Sequence, residues 1–416
     1  MKILQINKFF HPQGGADRHF LDLINLLAQN KHQIVVFSTE SNKNIDNQYS
    51  RKYSAYWPKY NDYSQQGKFG LKKIIQFFYN YEAVRKLKQL LKKEKNIDLA
   101  HIHNIYHHLT PVILKILKKH KIPVIMTLHD YKLICPNYNL FNQGQICEKC
   151  KDGSYWQCWK NKCIQNSASK SLLTSLEAYF QKTFFPYSKL VDKFIAPSYF
   201  IKNKFIEFKF PNKNIEVIHN FVQIPETKKE DQEKENYFLY AGRLHQTKGV
   251  DKIIKLIPKL DKDLSFYIVG DGPERKNLQA ISSELGVADK IKFLGYFGPQ
   301  EKDKMFDLIQ KAKFVIVPSI WYENCSIGIL QALALGKIVI AHNLGGNSEL
   351  IQNNYNGYLY KNKSELIDKI SNLVYDNELI SRMENNALQS AQENFSPEIY
   401  YQKLIELYKN IIQKNN

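Results

Sequence analysis

Between Val315 and Leu350 the chain reads VIVPSIWYENCSIGILQALALGKIVIAHNLGGNSEL, and this stretch constrains the fold more than any other. Val315–Val317 is the end of an apolar strand, followed by a loop carrying Glu323 and an apolar helix from Ile327 to Leu335 that Gly336 stops. A second buried strand, Ile338–Ala341, leads into a Gly345-Gly346 turn and a further helix start at Asn347-Ser348. Two fully apolar strands joined by a helix form a parallel α/β unit, whose ligand loops lie at the carboxyl ends of the strands. An all-helical or all-antiparallel chain has no place for this order.

The same alternation runs through both halves. Strands are expected at Lys2–Ile6, Ile34–Ser38, Asp98–His103, Val124–Leu128, Lys193–Pro197 and Glu216–Ile218. They recur at Tyr237–Ala241, Ser265–Val269 and Ile291–Leu294. At 416 residues the chain is long enough for two cores. The charged, apolar-poor segment PETKKEDQEKEN (225–236) marks a linker between them. The expected division is 1–224, 225–395 and a last helix in 396–416 that opens at Ser396-Pro397 and carries Tyr400, Leu404, Leu407 and Ile411 on one face. No apolar run approaches the roughly 20 residues that span a bilayer. The amino terminus MKILQINKFF reads as a first strand rather than a signal peptide, so a cytoplasmic location is expected.

Charge separates the halves. Residues 1–220 hold 34 Lys and Arg against 15 Asp and Glu, whereas residues 221–416 hold 25 of each, so the first half carries the whole net charge of +19. An anionic partner is implied there: lipid headgroups, a diphosphate-linked acceptor or nucleic acid. Helix-turn-helix, zinc-finger and aromatic RNA-binding signatures are all missing, which argues against nucleic acid. The segment LKKIIQFFYNYEAVRKLKQLLKKEK (71–95) reads as one amphipathic helix with a basic rim. It is either a core helix with a solvated face or an interfacial helix, and an interfacial one would place the protein peripherally on the inner face of the membrane.

Several loops carry candidate chemistry. Gly14-Gly15 follows the first strand directly and precedes an apolar-periodic helix, so the backbone there can approach an anion. Arg243 and Lys248, in GRLHQTKGV after Tyr237–Ala241, offer a planar fork and a mobile point charge to a diphosphate. Gly270 and Gly272 make a tight turn after Ser265–Val269, and Tyr296 follows the next strand. His101, His103, Asn104, His107 and His108 cluster at one strand end. His129-Asp130 ends another, and a His beside an acid suits a base or a group that orients a hydroxyl.

These motifs together resemble the retaining nucleotide-sugar transferases of glycosyltransferase family 4. The family signature places a Glu, a helix and a second Glu eight positions on; Glu323 fills the first place and Gln331 stands at the second. GGADRH at 14–19 is similar to the amino-terminal motif, with Asp17 where the family usually has Glu. TLHDYKLICPN at 127–137 resembles the acceptor-domain segment, and the GRL…KG and GDGP loops resemble those of the donor domain. The resemblance implies the GT-B architecture: two Rossmann-like doubly wound α/β domains facing a central cleft, with a carboxyl-terminal helix crossing back to the first domain. It implies a UDP- or GDP-sugar donor and transfer of a hexose to a lipid-linked or surface-polysaccharide acceptor, with no metal in catalysis.

By the same resemblance, Arg243, Lys248 and amides near Gly15 stabilise the departing diphosphate, and His129 sits near the donor sugar. Glu323 holds sugar hydroxyls with backbone amides of Cys325, Ser326 and Ile327, while Tyr296 lies against the base. The residue at 331 meets the ribose, where Gln accepts a hydrogen bond without charge. Gln331 also motivates the rival reading, a catalytically weakened nucleotide-sugar-binding protein of the same fold.

Two features concern metals. Cys135, Cys147, Cys150, Cys158 and Cys163 crowd into an insert at about 135–165, with Cys325 apart. Free thiols, a structural zinc on Cys135, Cys147, Cys150 and Cys163, and a disulfide or redox pair are the alternatives. Asp261-Lys262-Asp263 spells the metal motif of another transferase architecture, but it precedes a strand and reads as a turn.

Overall fold

The computed structural model describes residues 1–63, 70–211, 214–225 and 234–415. Most of the segment expected as a linker (226–233) therefore lies outside the described residues. The chain forms two compact units. Unit 1 is Met1–Leu140, Cys147–His219 and Tyr401–Asn416; unit 2 is Phe141–Ile146 and Asn220–Tyr400.

Unit 1 is built on a six-stranded parallel sheet. Its strands are β1 (Lys2–Ile6), β2 (Gln33–Phe37), β3 (Leu99–Ile102), β4 (Val124–Thr127), β5 (Lys193–Ala196) and β6 (Ile215–Val217). Their order is β2-β1-β3-β4-β5-β6. Unit 2 repeats the plan with β7 (Tyr237–Ala241), β8 (Ser265–Val269), β9 (Ile291–Gly295), β10 (Val315–Val317), β11 (Val339–His342) and β12 (Gly357–Tyr360). Their order is β9-β8-β7-β10-β11-β12, again parallel. Central strands of such sheets are covered on both faces, which is why they read as unbroken apolar runs. Phe238, Phe266 and Phe314 stack in unit 2 with ring centroids 4.5 and 5.1 Å apart from Phe238.

In each unit the strand order reverses beside the first strand. The reversal lies between β1 and β3 in unit 1 and between β7 and β10 in unit 2. Ligands of open parallel sheets bind in the crevice outside the carboxyl ends at such a reversal. That geometry selects the loops after β1, β3, β7 and β10.

Two expectations need correction. After α1 (Gly15–Gln29), the segment 71–95 is two helices, α2 (Leu71–Phe78) and α3 (Tyr81–Lys93). Asn80 breaks it: its side chain accepts from the Ala83 amide at 3.0 Å, capping α3, and donates to the His108 carbonyl at 2.7 Å. After β2, Gln48–Tyr53 is helical with a capping box between Asn47 and Ser50. The helix start at Asn347-Ser348 is only a 3₁₀ turn, Gly346–Glu349.

The last helix, Pro397–Asn415, buries Tyr400, Leu404, Leu407 and Ile411. Residues 401–416 belong to unit 1, where Tyr401 Oη meets His32 Nε2 at 2.9 Å and Tyr408 Oη meets His101 Nδ1 at 2.6 Å. Among the described residues no helix is long and apolar enough to cross a membrane.

Candidate active site

In unit 2 the reversal point brings a cation and a carboxylate together. Lys248, in the loop after β7, places Nζ 2.5 Å from Oε1 of Glu323, in the loop after β10. Ser319 Oγ donates to the same oxygen at 2.6 Å, and the Lys248 ammonium lies 5.2 Å from the centre of the Trp321 ring. Glu323 is buried. Burial pushes its carboxyl up, but Lys248 and Ser319 more than offset this and hold it below its ordinary value of 4.5. The site therefore keeps a carboxylate ionised in a place that would otherwise protonate it.

The backbone around Glu323 is locked from a third loop. Gly346 N donates to the Glu323 carbonyl at 2.6 Å, and Glu323 bridges to Gly345. Gly345 adopts φ +69°, and a Cβ there would lie 2.4 Å from the Glu323 carbonyl oxygen. Only glycine fits. Gly270 works similarly between loops: at φ +130°, its missing side chain leaves room for the Gly242 carbonyl, 1.9 Å from where a Cβ would stand. Gly242 N and Leu244 N also donate to Val269 O and Asp271 O, so the Gly270–Gly272 turn braces the loop that carries Arg243 and Lys248.

The remaining expected donor-site residues surround this centre. Arg243 is exposed and makes no ion pair among the described residues. A helix, Ile327–Ala334, starts beside Glu323 with Ser326 as its N-cap, so free amides follow directly on the carboxylate. Gln331 is half-buried on that helix, and Tyr296 is exposed after β9. Burial pushes the Cys325 thiol up to about 12, leaving it a protonated packing group. Asp261 and Asp263 form a turn, with Asp263 N bonded to Asp261 Oδ1 at 2.7 Å.

In unit 1 the corresponding loops collect histidines. His103, just past β3, lies with Nδ1 2.7 Å from Nε2 of His129, just past β4, and with Nε2 3.2 Å from Gln5 Oε1. His101 stacks on His103 at 4.6 Å between centroids and is held by Thr127 Oγ1 at 2.7 Å and by Tyr408. His19, on the helix Gly15–Gln29, packs edge-on against His129 at 5.5 Å. Burial lowers all four below their ordinary value, to about 3 for His19 and His101, so they are neutral near pH 7.

Asp130 is held from two sides. It accepts from Tyr106 Oη at 2.5 Å and from Lys132 N at 2.9 Å. Gly14 caps the helix in an extended conformation, and both Gly14 and Gly15 are exposed. Asp17 is buried and holds Asn7, at the end of β1, through a 2.9 Å bond from Asn7 Nδ2.

His107 and His108 lie apart from this group, against Tyr63 and Phe77. Sequence reasoning singled out His129 and missed Gln5, Asn7 and Tyr408. The adjacency of β1, β3 and β4 supplies two of these partners, and no local motif marks it.

The cysteines are all free thiols. Among the described residues no group of three or more His, Cys, Asp or Glu side chains is placed to hold a metal ion. The zinc alternative on Cys135, Cys147, Cys150 and Cys163 thus finds no support, and neither does a disulfide.

Comparison with known proteins agrees with this geometry. A family model described as Glycosyltransferase Family 4 matches residues 13–224, and one described as Glycosyl transferases group 1 matches residues 223–390. The chain is similar to an uncharacterized 42.6 kDa protein in cps region of Klebsiella pneumoniae, 26% identical over 363 residues, covering 84% of this chain and 87% of that one. It is 26% identical over 208 residues to a poly(ribitol-phosphate) alpha-N-acetylglucosaminyltransferase of Staphylococcus aureus, covering 49% of this chain and 41% of that one. Among solved structures, HepE of Anabaena in complex with UDP matches with TM-score 0.68 at 18% identity, covering 99% of this chain and 100% of that chain. That last likeness is one of fold.

Proposed function

We propose, from the premise that this chain belongs to Glycosyltransferase Family 4, that it moves a hexose-type sugar with retention from a nucleoside-diphosphate sugar to a lipid-linked or surface-polysaccharide acceptor, without a metal. The observation that carries the reading is the Lys248–Glu323 pair at the strand-order reversal of unit 2. A diphosphate needs a cation and a sugar needs a hydroxyl acceptor. Here one of each is held at the mouth of the crevice where such a ligand binds.

The roles follow from the chemistry. Charge builds on the leaving diphosphate in the transition state, and groups placed for that charge contribute most to rate. Lys248 and Arg243 supply it in unit 2, and the amides at Gly15 are the candidates in unit 1. Glu323, kept ionised by its neighbours, accepts from donor-sugar hydroxyls, and the amides around Cys325–Ile327 donate. His129, neutral at pH 7, orients a sugar hydroxyl. The polymer acceptor is supported by the name of the Staphylococcus relative, and a UDP donor by the nucleotide bound to HepE.

The experiment is a titration of UDP- and GDP-sugars with EDTA present, following release of the free nucleoside diphosphate. Slow hydrolysis of one donor supports the transferase and identifies the sugar. Tight binding without turnover, with every acceptor tried, favours the weakened binding protein that Gln331 suggests. No binding to any donor sinks both readings.

A further inference from the structure

We infer that the exposed apolar face shared by α2 and the carboxyl-terminal half of the helix Ala168–Phe184 is a docking surface for an anionic lipid leaflet. On α2, Leu71, Ile75 and Phe78 recur at helical spacing on one stripe. Leu71 is 75% exposed and Ile75 is 43% exposed. On the neighbouring helix Leu176, Phe180 and Phe184 recur every fourth residue, with Leu176 and Phe184 exposed. The two stripes join: Phe78 meets Phe180 edge-on at 5.4 Å, and Phe180 meets Phe184 at 4.9 Å. Scattered apolar side chains on a surface need no explanation, but a joined face does.

Charge identifies what covers it. Lys72 borders the stripe on α2 and Lys73 follows it in the same first turn, both exposed and without an ion pair among the described residues. No acid occurs between Gly70 and Tyr81. The following helix, α3, turns Ala83, Leu87, Leu90 and Leu91 into the core of unit 1 and leaves Arg85, Lys88, Lys92 and Lys93 outward against one acid, Glu82, so its balance is positive. The half of the chain that holds this face carries the whole net charge of +19. An apolar stripe bordered by unpaired lysines fits a leaflet, where methylenes take the apolar groups and acidic headgroups take the ammonium groups. At about 12 Å long, α2 would lie in the interface plane rather than cross it. The inference deepens the lipid-linked-acceptor reading and rests on it for its purpose, while its geometry belongs to unit 1 alone.

The test is flotation of the full chain with vesicles of phosphatidylcholine alone or with about 30 mol% phosphatidylglycerol, at low and high salt. The expected result is binding to the anionic vesicles only, weakened by salt. Lys72→Ala/Lys73→Ala should lower the partition about 25-fold, at about fivefold per lysine. Leu71→Ser/Ile75→Ser/Phe184→Ser should lower it at least about tenfold, with donor hydrolysis and the thermal midpoint unchanged. Failure of the wild type to float overturns the proposal, and so does undiminished binding by the serine variant. A dimer in sedimentation that the serine variant dissolves, without vesicle binding, would assign the face to a second copy instead. Absent donor hydrolysis in a chain that still floats would count against the transferase reading and leave this one standing.

Discussion

Lys248 Nζ and Glu323 Oε1 stand 2.5 Å apart across the mouth of unit 2, so a cation suited to phosphate is held by a carboxylate suited to sugar. On the proposed reading, each group gives up this partner when a nucleoside-diphosphate sugar binds. Glu323→Gln should therefore bind UDP or GDP several-fold more tightly, because Lys248 is released, while transfer falls at least about 100-fold. Calorimetry and a diphosphate-release assay separate the two effects. A parallel loss of nucleotide affinity and rate would contradict the arrangement.

Acid should act on unit 1 through its histidines. His19, His101, His103, His107, His108 and His129 all have pKa values lowered by burial, so below pH 6.5 the unfolded chain takes up protons that the folded one refuses. Each such group removes about 1.4 kcal/mol of stability per pH unit of fall below 6.5, down to its folded pKa. Urea midpoints should decline steeply between pH 6.5 and 5, and His101→Asn should flatten that decline. A midpoint independent of pH in this range would show that these rings titrate normally.

Glu323 works in the opposite sense to a buried acid without partners. Its folded pKa is held below 4.5, so it adds stability above that pH which is lost as the pH falls through its folded value. Glu323→Gln should remove this acid-dependent increment. Comparing the two proteins below pH 4.5 measures it, and identical acid limbs would count against the ionised carboxylate.

Beneath the cysteine-rich segment, Lys132 Nζ lies 2.7 Å from Glu177 Oε2, with both side chains almost wholly buried. Lys132→Met leaves a buried carboxyl without its cation and should cost about 3–5 kcal/mol. Lys132→Met/Glu177→Leu should recover most of that loss. Denaturant unfolding of the three proteins completes the cycle.

Gly345→Ala should be among the most damaging single changes of unit 2. The new methyl would stand 2.4 and 2.5 Å from the Glu323 carbonyl oxygen and amide nitrogen at a positive φ. We expect a loss of about 1–3 kcal/mol and a weaker donor Kd, since the displaced backbone carries the carboxylate. Thermal unfolding and donor titration check both.

His103 Nε2 faces Gln5 Oε1, and its Nδ1 faces His129 Nε2. With the amide oxygen accepting, the His129 proton sits on Nε2 and its Nδ1 is left unprotonated. Nitrogen-15 NMR of the imidazoles reads this tautomer directly. A proton found on Nδ1 would reverse the chain of donors.

The strands of both sheets were legible because central parallel strands are buried on both faces and read as unbroken apolar runs. Tyr237–Ala241 and Ser265–Val269 stand where the pattern places them. The break between α2 and α3 was not legible, because the apolar stripe continues through it. What stops the helix is a bond from Asn80 to His108, 28 residues away. The loops with Arg243, Lys248 and Glu323 could be found from motif alone, since each lies within a few residues of its strand end. His101, His103 and His129 also stand out at their strand ends, but the contacts that join them could not be read, since they depend on which strands are neighbours and on Tyr408, more than 300 residues beyond His101.

The chain passes between its two units at Leu140, Ile146, His219 and Tyr400, so no single cut yields either one whole. A fragment ending near residue 225 would lose Tyr401 and Tyr408, stripping His32 and His101 of their hydroxyl partners. The other fragment would lose the hairpin Phe141–Ile146, which belongs to unit 2 though it is threaded through the sequence of unit 1. Truncation series and split-protein screens divided there would thus produce two damaged halves. A fusion partner at the carboxyl terminus is attached, in effect, to the core around β3.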